Sequence, residues 1–168
     1  MSASGGPDIV YVRARGVLLD GLDALREHTR SLVLVGAQAI YLHTGDADLA
    51  VAPYTEDADL ALDPRQFGEQ PLVEKLLEQA GFVPGTQPGS WVGAHGVTLD
   101  LLVPESLGGG GRRGARIPPH GARVARKARG IEAALVDRHA EKIVALDHED
   151  SRCYTVNVAG PGALLVAK

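Results

Sequence analysis

Apolar and polar residues alternate along this chain with both helical and strand spacing, which predicts an α/β fold. Leu18, Leu22 and Leu25 recur at helical intervals, so residues 17–30 are predicted to form a helix. Residues 1–15 are predicted to be a disordered tail. Short apolar runs bounded by Gly, Pro or polar residues predict strands at 31–35, 57–62, 82–84, 90–94, 97–103 and 154–158.

Two further helices are predicted at 37–43 and 71–79. The second has Pro71 in its first turn and Gly81 at the position that follows a helix end. Together the elements predict one domain over 16–168, a mixed β-sheet flanked by helices. A last helix opens near Pro161 and has barely begun at the final residue, which suggests that a C-terminal helical part is truncated.

The stretch between the strands at 97–103 and 154–158 is less regular. Residues 107–121 contain GGGGRRGAR followed by Ile-Pro-Pro, and they predict a mobile loop in which nothing packs. Residues 122–147 predict further short strands, although a helix over 138–146 fits the pattern nearly as well.

Composition places the chain among ordinary globular proteins, with 45% apolar and 23% charged residues. No apolar run approaches the roughly 18 residues that a membrane span needs, so no membrane partner is expected. The first residues lack the basic-then-apolar order of a secretory signal, and the single Cys153 is typical of a reducing compartment. These features predict a cytoplasmic location.

Charge is distributed unevenly around the net value of −4. Residues 105–130 contain seven Arg or Lys against the one acid Glu105, which gives +6 and leaves −10 for the remainder. A basic segment on an acidic body is either a solvated linker or a contact surface for a polyanion such as RNA.

Three acidic residues are candidates for metal chemistry. Asp57 and Asp59 lie two apart in a predicted strand, so they project from one face with Cα atoms about 6–7 Å apart. Asp100 interrupts the apolar strand VTLDLLV, where an acid is out of place unless it faces a ligand or a rim. Should the two strands be neighbours, the three carboxylates converge on a site for one or two divalent cations.

Gly36 separates a predicted buried strand from a predicted helix. A glycine at such a turn lets phosphate oxygens approach the backbone, and the N–H groups of Ala37, Gln38 and Ala39 are expected to face them.

These segments, LVLVGAQAIYLHTG, YTEDADLAL and VTLDLLVP, resemble the DNA-polymerase-β-like nucleotidyltransferase superfamily, and most closely its AbiEii-like toxin group. The shared pattern is a Gly at a helix start, a Thr-x-Asp-x-Asp-Leu strand and a lone Asp in a later strand. The matching residues here are Gly36, Thr55, Asp57, Asp59, Leu60 and Asp100. Ala37 stands where the family has Gly or Ser, and Gln38 is the expected substitute for the missing hydroxyl.

The resemblance implies an enzyme that moves a nucleoside monophosphate from an NTP to a hydroxyl of RNA, including tRNA, or of protein. It implies Mg²⁺ or Mn²⁺ bound by Asp57, Asp59 and Asp100, which are also the catalytic residues. It implies nucleotide contacts from Gly36, Ala37, Gln38, Thr55 and Lys168. A toxin role with an antitoxin partner is implied by the same likeness.

Other interpretations of the same residues stay open. The fold is also compatible with a non-catalytic protein that binds a nucleotide or a partner, and with an interaction domain whose acids are surface charges. A phosphatase-like enzyme with an Asp nucleophile is a weaker alternative. Asp46 and Asp48 repeat the Asp-Ala-Asp-Leu-Ala sequence and form the rival acid pair.

Overall fold

The chain folds around one mixed β-sheet, which the computed structural model describes for residues 8–44 and 55–167. Its eight strands are β1 (Leu32–Val35), β2 (Asp57–Leu62), β3 (Val83–Pro84), β4 (Ser90–Val92), β5 (Thr98–Pro104), β6 (Arg126–Ala128), β7 (Arg138–Val144) and β8 (Cys153–Ala159). The helices are α1 (Ile9–Ala24), α2 (Gly36–Thr44), α3 (Val73–Gln79) and α4 (Pro161–Val166). The predicted α/β class with a mixed sheet is confirmed.

The strand order is β3-β4-β5-β2-β1-β8-β7, and β6 pairs with the second half of β5. The β1/β8, β2/β5 and β5/β6 pairs are parallel, whereas the remaining pairs are antiparallel. All four residues of β1 are buried, as expected of a strand paired on both sides and covered on both faces. Leu32–Val35 therefore forms the centre of the core.

Helix α1 packs against the face of the sheet that carries Leu99. Gly21 of α1 approaches so closely that an added Cβ would lie 2.6 Å from Leu99 Cδ2. Helices α2 and α4 lie against the opposite face, where they border a cavity of about 270 Å³ together with Asp59 and Leu102. The acids therefore belong to the face that α1 does not cover.

The predicted start of the first helix was wrong. α1 begins at Ile9, so the tail predicted over 1–15 is wrong from that residue onward, while residues 1–7 lie outside the described part of the chain. The Asp8 side chain accepts a hydrogen bond from the Val10 N–H at 2.8 Å and caps the helix. Residues 26–30, the last part of the predicted helix, instead belong to a 3₁₀ helix over Arg26–Ser31, which also includes the first residue of the predicted strand.

The segment predicted as a mobile loop also packs, because Ala115 and Ile117 are buried. Residues 113–115 run beside β6: Lys127 N–H donates to the Arg113 carbonyl and Ala115 N–H to the Ala125 carbonyl. The strands predicted within 122–147 are confirmed as β6 and β7. The alternative helix over 138–146 is excluded, because Arg138–Val144 pairs along its whole length with β8.

Candidate metal centre

The register of β2 and β5 brings the three predicted acids together. The two strands are parallel, with Asp59 opposite Asp100 and Asp57 opposite Thr98. Residues two apart on a strand share a face, so all three carboxylates project to one side. One carboxylate oxygen from each of Asp57, Asp59 and Asp100 lies within 4.8 Å of the other two. The convergence that the sequence predicts is present.

A glycine is required at the turn into α2. Gly36 has a φ of +72°, a conformation that residues with a Cβ rarely adopt. In addition, Val35 pairs with Asp59 across β1 and β2, and a Cβ on Gly36 would overlap Asp59 Oδ2. The start of α2 and the Asp59 carboxylate are therefore in direct contact, and only a residue without a side chain allows it.

Asp57 is oriented by its neighbours. The Thr55 hydroxyl donates to Asp57 Oδ1 at 2.9 Å and to the Asp57 carbonyl at 3.2 Å. Thr55 is buried, so its hydroxyl is committed to positioning this carboxylate. The same carbonyl accepts a bond from Gln38 Nε2 at 3.2 Å.

The Gln38 side chain has a structural role that the sequence did not indicate. It is 1% exposed and faces α1, where its Nε2 donates to the Ala14 carbonyl and its Oε1 accepts from Arg15 Nε at 3.0 Å. The buried Arg15 also donates to the Tyr11 hydroxyl and the Val144 carbonyl. The expectation that the Gln38 side chain contacts phosphate is therefore wrong, because its amide group is engaged in hydrogen bonds that link β2 to α1.

One carboxylate oxygen of Asp100 has a partner and the other has none within the described part of the chain. Its Oδ2 forms an ion pair with Arg126 Nη2 at 2.8 Å, and the Asp100 and Arg126 side chains are 14% and 28% exposed, respectively. Its Oδ1 is buried and has no hydrogen-bond partner among the described residues. A buried carboxylate oxygen without a partner is costly unless a ligand supplies the missing contact.

Crowding of the three acids changes the ionisation of Asp59. Burial first, and the charges of Asp57 and Asp100 second, raise the pKa of Asp59 to about 7, whereas Arg126 acts to lower it. The ionised triad with Arg126 carries a net charge of −2. A divalent cation removes that excess, and three carboxylates are the hard oxygen ligands that Mg²⁺ and Mn²⁺ prefer. The residues present thus fit a divalent cation.

Within residues 8–44 and 55–167, two of the cavities border the triad. The larger cavity, about 370 Å³, lies beside Asp57 and is lined in part by Arg13, His95 and Thr98. The smaller, about 270 Å³, lies beside Asp59 and is mostly apolar, with Gly36 and Ala37 at the same edge. The sequence did not indicate Arg13, because α1 is distant in the chain from the acids, and it did not indicate His95, although that residue lies only five positions before Asp100.

Other predicted residues lie elsewhere. Lys168 and the rival acids Asp46 and Asp48 fall outside the described residues. Arg126 was not singled out within the basic segment, and its only signal in the sequence is membership of that segment.

The comparisons with known proteins identify no relative: no family model matches the chain, and searches of curated proteins and of solved structures find no match. Among the helices of residues 8–44 and 55–167, none combines the length and apolar character needed to traverse a bilayer.

Gly36→Ala is expected to destabilise the protein and to disrupt the acid triad. The positive φ alone costs of order 1–2 kcal/mol, and displacement of Asp59 adds to it. Gly81→Ala is the matched control, because Gly81 also has a positive φ but has no atom within 4 Å of an added Cβ. Urea unfolding should show a larger loss for Gly36→Ala, and Mn²⁺ titration should show weaker binding for that variant only. Equal losses for both variants would contradict the contact with Asp59.

Stabilisation by Mg²⁺ is expected to grow with pH. The pKa of Asp59 is raised to about 7, so the folded protein favours the protonated carboxyl. The stability gained in this way is fully present below the pKa that Asp59 has in the unfolded chain, and it is lost as the pH rises through 7. Mg²⁺ requires the ionised form, so it should raise the melting temperature more at about pH 8 than at about pH 5.5. Differential scanning fluorimetry with and without Mg²⁺ measures this. In Asp59→Asn the difference between the two pH values should shrink, and equal stabilisation in the unsubstituted protein would refute the assignment.

Proposed function

We propose that this protein is a metal-dependent nucleotidyltransferase with a DNA-polymerase-β-like fold. The observation that carries the proposal is the convergence of Asp57, Asp59 and Asp100 on two adjacent strands, directly beside the Gly36 turn. Few chemistries need three carboxylates within 4.8 Å next to a helix start, and transfer of a phosphoryl-linked group with divalent cations is one of them.

In the proposed reaction the acceptor hydroxyl oxygen forms a bond to the α-phosphorus of an NTP. The bond from that phosphorus to pyrophosphate breaks, and the hydroxyl proton passes to a carboxylate of the triad. Mg²⁺, held by Asp57, Asp59 and Asp100, would supply the positive charge that activates the hydroxyl and neutralises the triphosphate. Thr55 positions Asp57 through its hydroxyl, which donates to Asp57 Oδ1.

The phosphate and nucleoside parts of the NTP have distinct environments beside Asp59. The N–H groups of Gly36, Ala37 and Gln38 lie in the first turn of α2, where amides have no partner within the helix. That turn contacts the Asp59 carboxylate, so the amides are near the expected position of the triphosphate. The apolar cavity bordered by Ile40, Leu102 and Leu164 is of a size to accept part of the nucleoside.

We propose RNA, such as tRNA, as the acceptor ahead of a protein hydroxyl, and exposed arginines near the site support this choice. Of the basic residues in 105–130, Arg123, Arg126, Lys127 and Arg129 are engaged within the protein. Arg112, Arg113 and Arg116 are exposed, and no side-chain hydrogen bond or salt bridge engages them among the described residues. We term them the arginine turn. Lys127 Nζ donates to the Gly109 and Gly111 carbonyls and so fixes this turn beside β6.

A non-catalytic role is the second candidate, and the Arg126–Asp100 ion pair favours it. An arginine that already neutralises the third acid is compatible with a protein that binds nucleotide without turnover. A toxin role and an antitoxin partner rest on the sequence resemblance alone.

Incorporation of labelled NTPs into RNA or protein tests the proposed activity. The protein is incubated with each of the four α-labelled NTPs, Mg²⁺ or Mn²⁺, and total RNA or a protein extract. Asp57→Asn and Asp59→Asn should reduce incorporation by at least about 100-fold, since loss of a metal ligand exceeds the 10–100-fold effect of an outer partner. Glu69→Gln, which removes an exposed acid away from the triad, should leave it unchanged. Metal-dependent nucleotide binding without incorporation would support the non-catalytic candidate.

The arginine turn is expected to dominate RNA binding. Replacing Arg112, Arg113 and Arg116 by Gln should weaken binding and reduce the slope of log affinity against log salt by about 2–3, since each phosphate contact contributes about 0.7–0.9. A charge-matched control replaces the exposed residues Arg26, Arg30 and Lys142 by Gln. Filter binding of total tRNA at several salt concentrations measures both slopes, and identical losses in the two variants would exclude a localised surface.

A further inference from the structure

Arg126 is fixed in place by the backbone on either side of it. It is the first residue of β6 and pairs with Leu102, which lies two residues beyond Asp100 on the same face of β5. Gly114 forms a bridge to Arg126 on the other side, and a Cβ on Gly89 would lie 2.6 Å from the Arg126 nitrogen. The guanidinium therefore reaches the acid triad from a backbone position that cannot easily move.

The ion pair that Arg126 makes is one-sided. Arg126 Nη2 lies 2.8 Å from Asp100 Oδ2, whereas a two-point pairing of guanidinium and carboxylate would donate hydrogen bonds to both oxygens. The second oxygen, Oδ1, is buried without a hydrogen-bond partner among the described residues. In the part of the chain that the structure describes, Asp100 thus retains a carboxylate oxygen without a partner, and one oxygen of this residue lies within 4.8 Å of both other acids. A metal ion bound there would compete with Arg126 for the charge of Asp100.

The charges of the triad and of Arg126 predict how the role of Arg126 changes when a metal ion binds. With all three acids ionised, Arg126 reduces the charge of the triad from −3 to −2, which one divalent cation cancels. Arg126 therefore stabilises the acids before a metal is bound, but it repels the incoming cation. Once a cation neutralises Asp100, the guanidinium has lost most of its attraction to that carboxylate, and a phosphate is the group that its planar donors match best.

We propose that Arg126 is an exchangeable cation of the nucleotidyltransferase site: it holds Asp100 before the metal binds and holds a phosphate of the substrate afterwards. This inference rests on the proposed function and deepens it, because it assigns to the basic segment a residue that positions the triphosphate. It predicts effects of opposite sign in one variant, which a residue that merely anchors β6 does not produce.

Arg126→Gln is the diagnostic variant, with Mn²⁺ and inorganic triphosphate as probes common to all NTPs. Mn²⁺ alone, followed by electron paramagnetic resonance, should bind Arg126→Gln about tenfold more tightly than the unsubstituted protein, because a nearby positive charge is gone. The Mn²⁺–triphosphate complex, followed by calorimetry, should bind about tenfold more weakly, since a charge-assisted contact is lost. Arg123→Gln removes an exposed arginine three residues away and should change neither affinity.

A second pair of variants keeps the test decisive if Arg126→Gln folds poorly. Arg126→Lys retains the charge and should bind Mn²⁺ alone like the unsubstituted protein while losing part of the triphosphate affinity. In an Asp100→Asn background, Arg126→Gln should tighten Mn²⁺ binding less than it does alone, because the competition for Asp100 is absent.

Two results overturn the inference: unchanged or weaker Mn²⁺ binding in Arg126→Gln, or unchanged triphosphate binding. Neither depends on turnover. Absence of Mn²⁺ binding by the unsubstituted protein is a separate result, and it rejects the metal site and the proposed function together.

Discussion

The parallel, in-register pairing of β2 with β5 is the constraint on which the site depends, because it sets the carboxylates of Asp59 and Asp100 side by side. Two like charges at adjacent positions in a partly buried region repel strongly. The fold must therefore supply compensation nearby. It does so with a guanidinium on Asp100, with a hydroxyl on Asp57 and with an Asp59 pKa raised to about 7.

The support for the acids extends well beyond their own strands. Helix α1 contributes the buried Arg15, which binds the Gln38 side chain, and Gln38 in turn holds the Asp57 carbonyl. The first helix, the helix after Gly36 and the beginning of β2 therefore form one hydrogen-bonded unit. Burying the charged Arg15 with three neutral acceptors costs free energy. Through Gln38, this arginine fixes the backbone that carries the Asp57 carboxylate.

Local patterns in the sequence predicted the mixed sheet, most strand positions and the acids that meet. In the first half of Thr98–Pro104 the buried residues alternate with less buried ones, and Asp100 was visible because it interrupts an otherwise apolar run. The onset of α1 was missed, although Asp8 is a residue type that favours the N-cap and its side chain accepts a hydrogen bond from the Val10 N–H. The packing of residues 113–115 was missed because it depends on hydrogen bonds to β6. A high glycine content predicts a loop but gives no information about such long-range pairing. The partnership of Arg126 with Asp100 joins residues on different strands, so no local pattern could reveal it.

The contact between Gly36 and Asp59 also bears on how such a sequence can diverge. Every substitution of glycine introduces a side chain, and at this position any side chain meets a carboxylate oxygen. The two positions are therefore inherited as a unit: a lineage that retains the acid must retain the glycine. A lineage that loses the acid is released from the steric restriction but not from the backbone conformation at φ +72°. A residue other than glycine at position 36 of a descendant would therefore indicate that the acid at position 59 has been replaced or displaced.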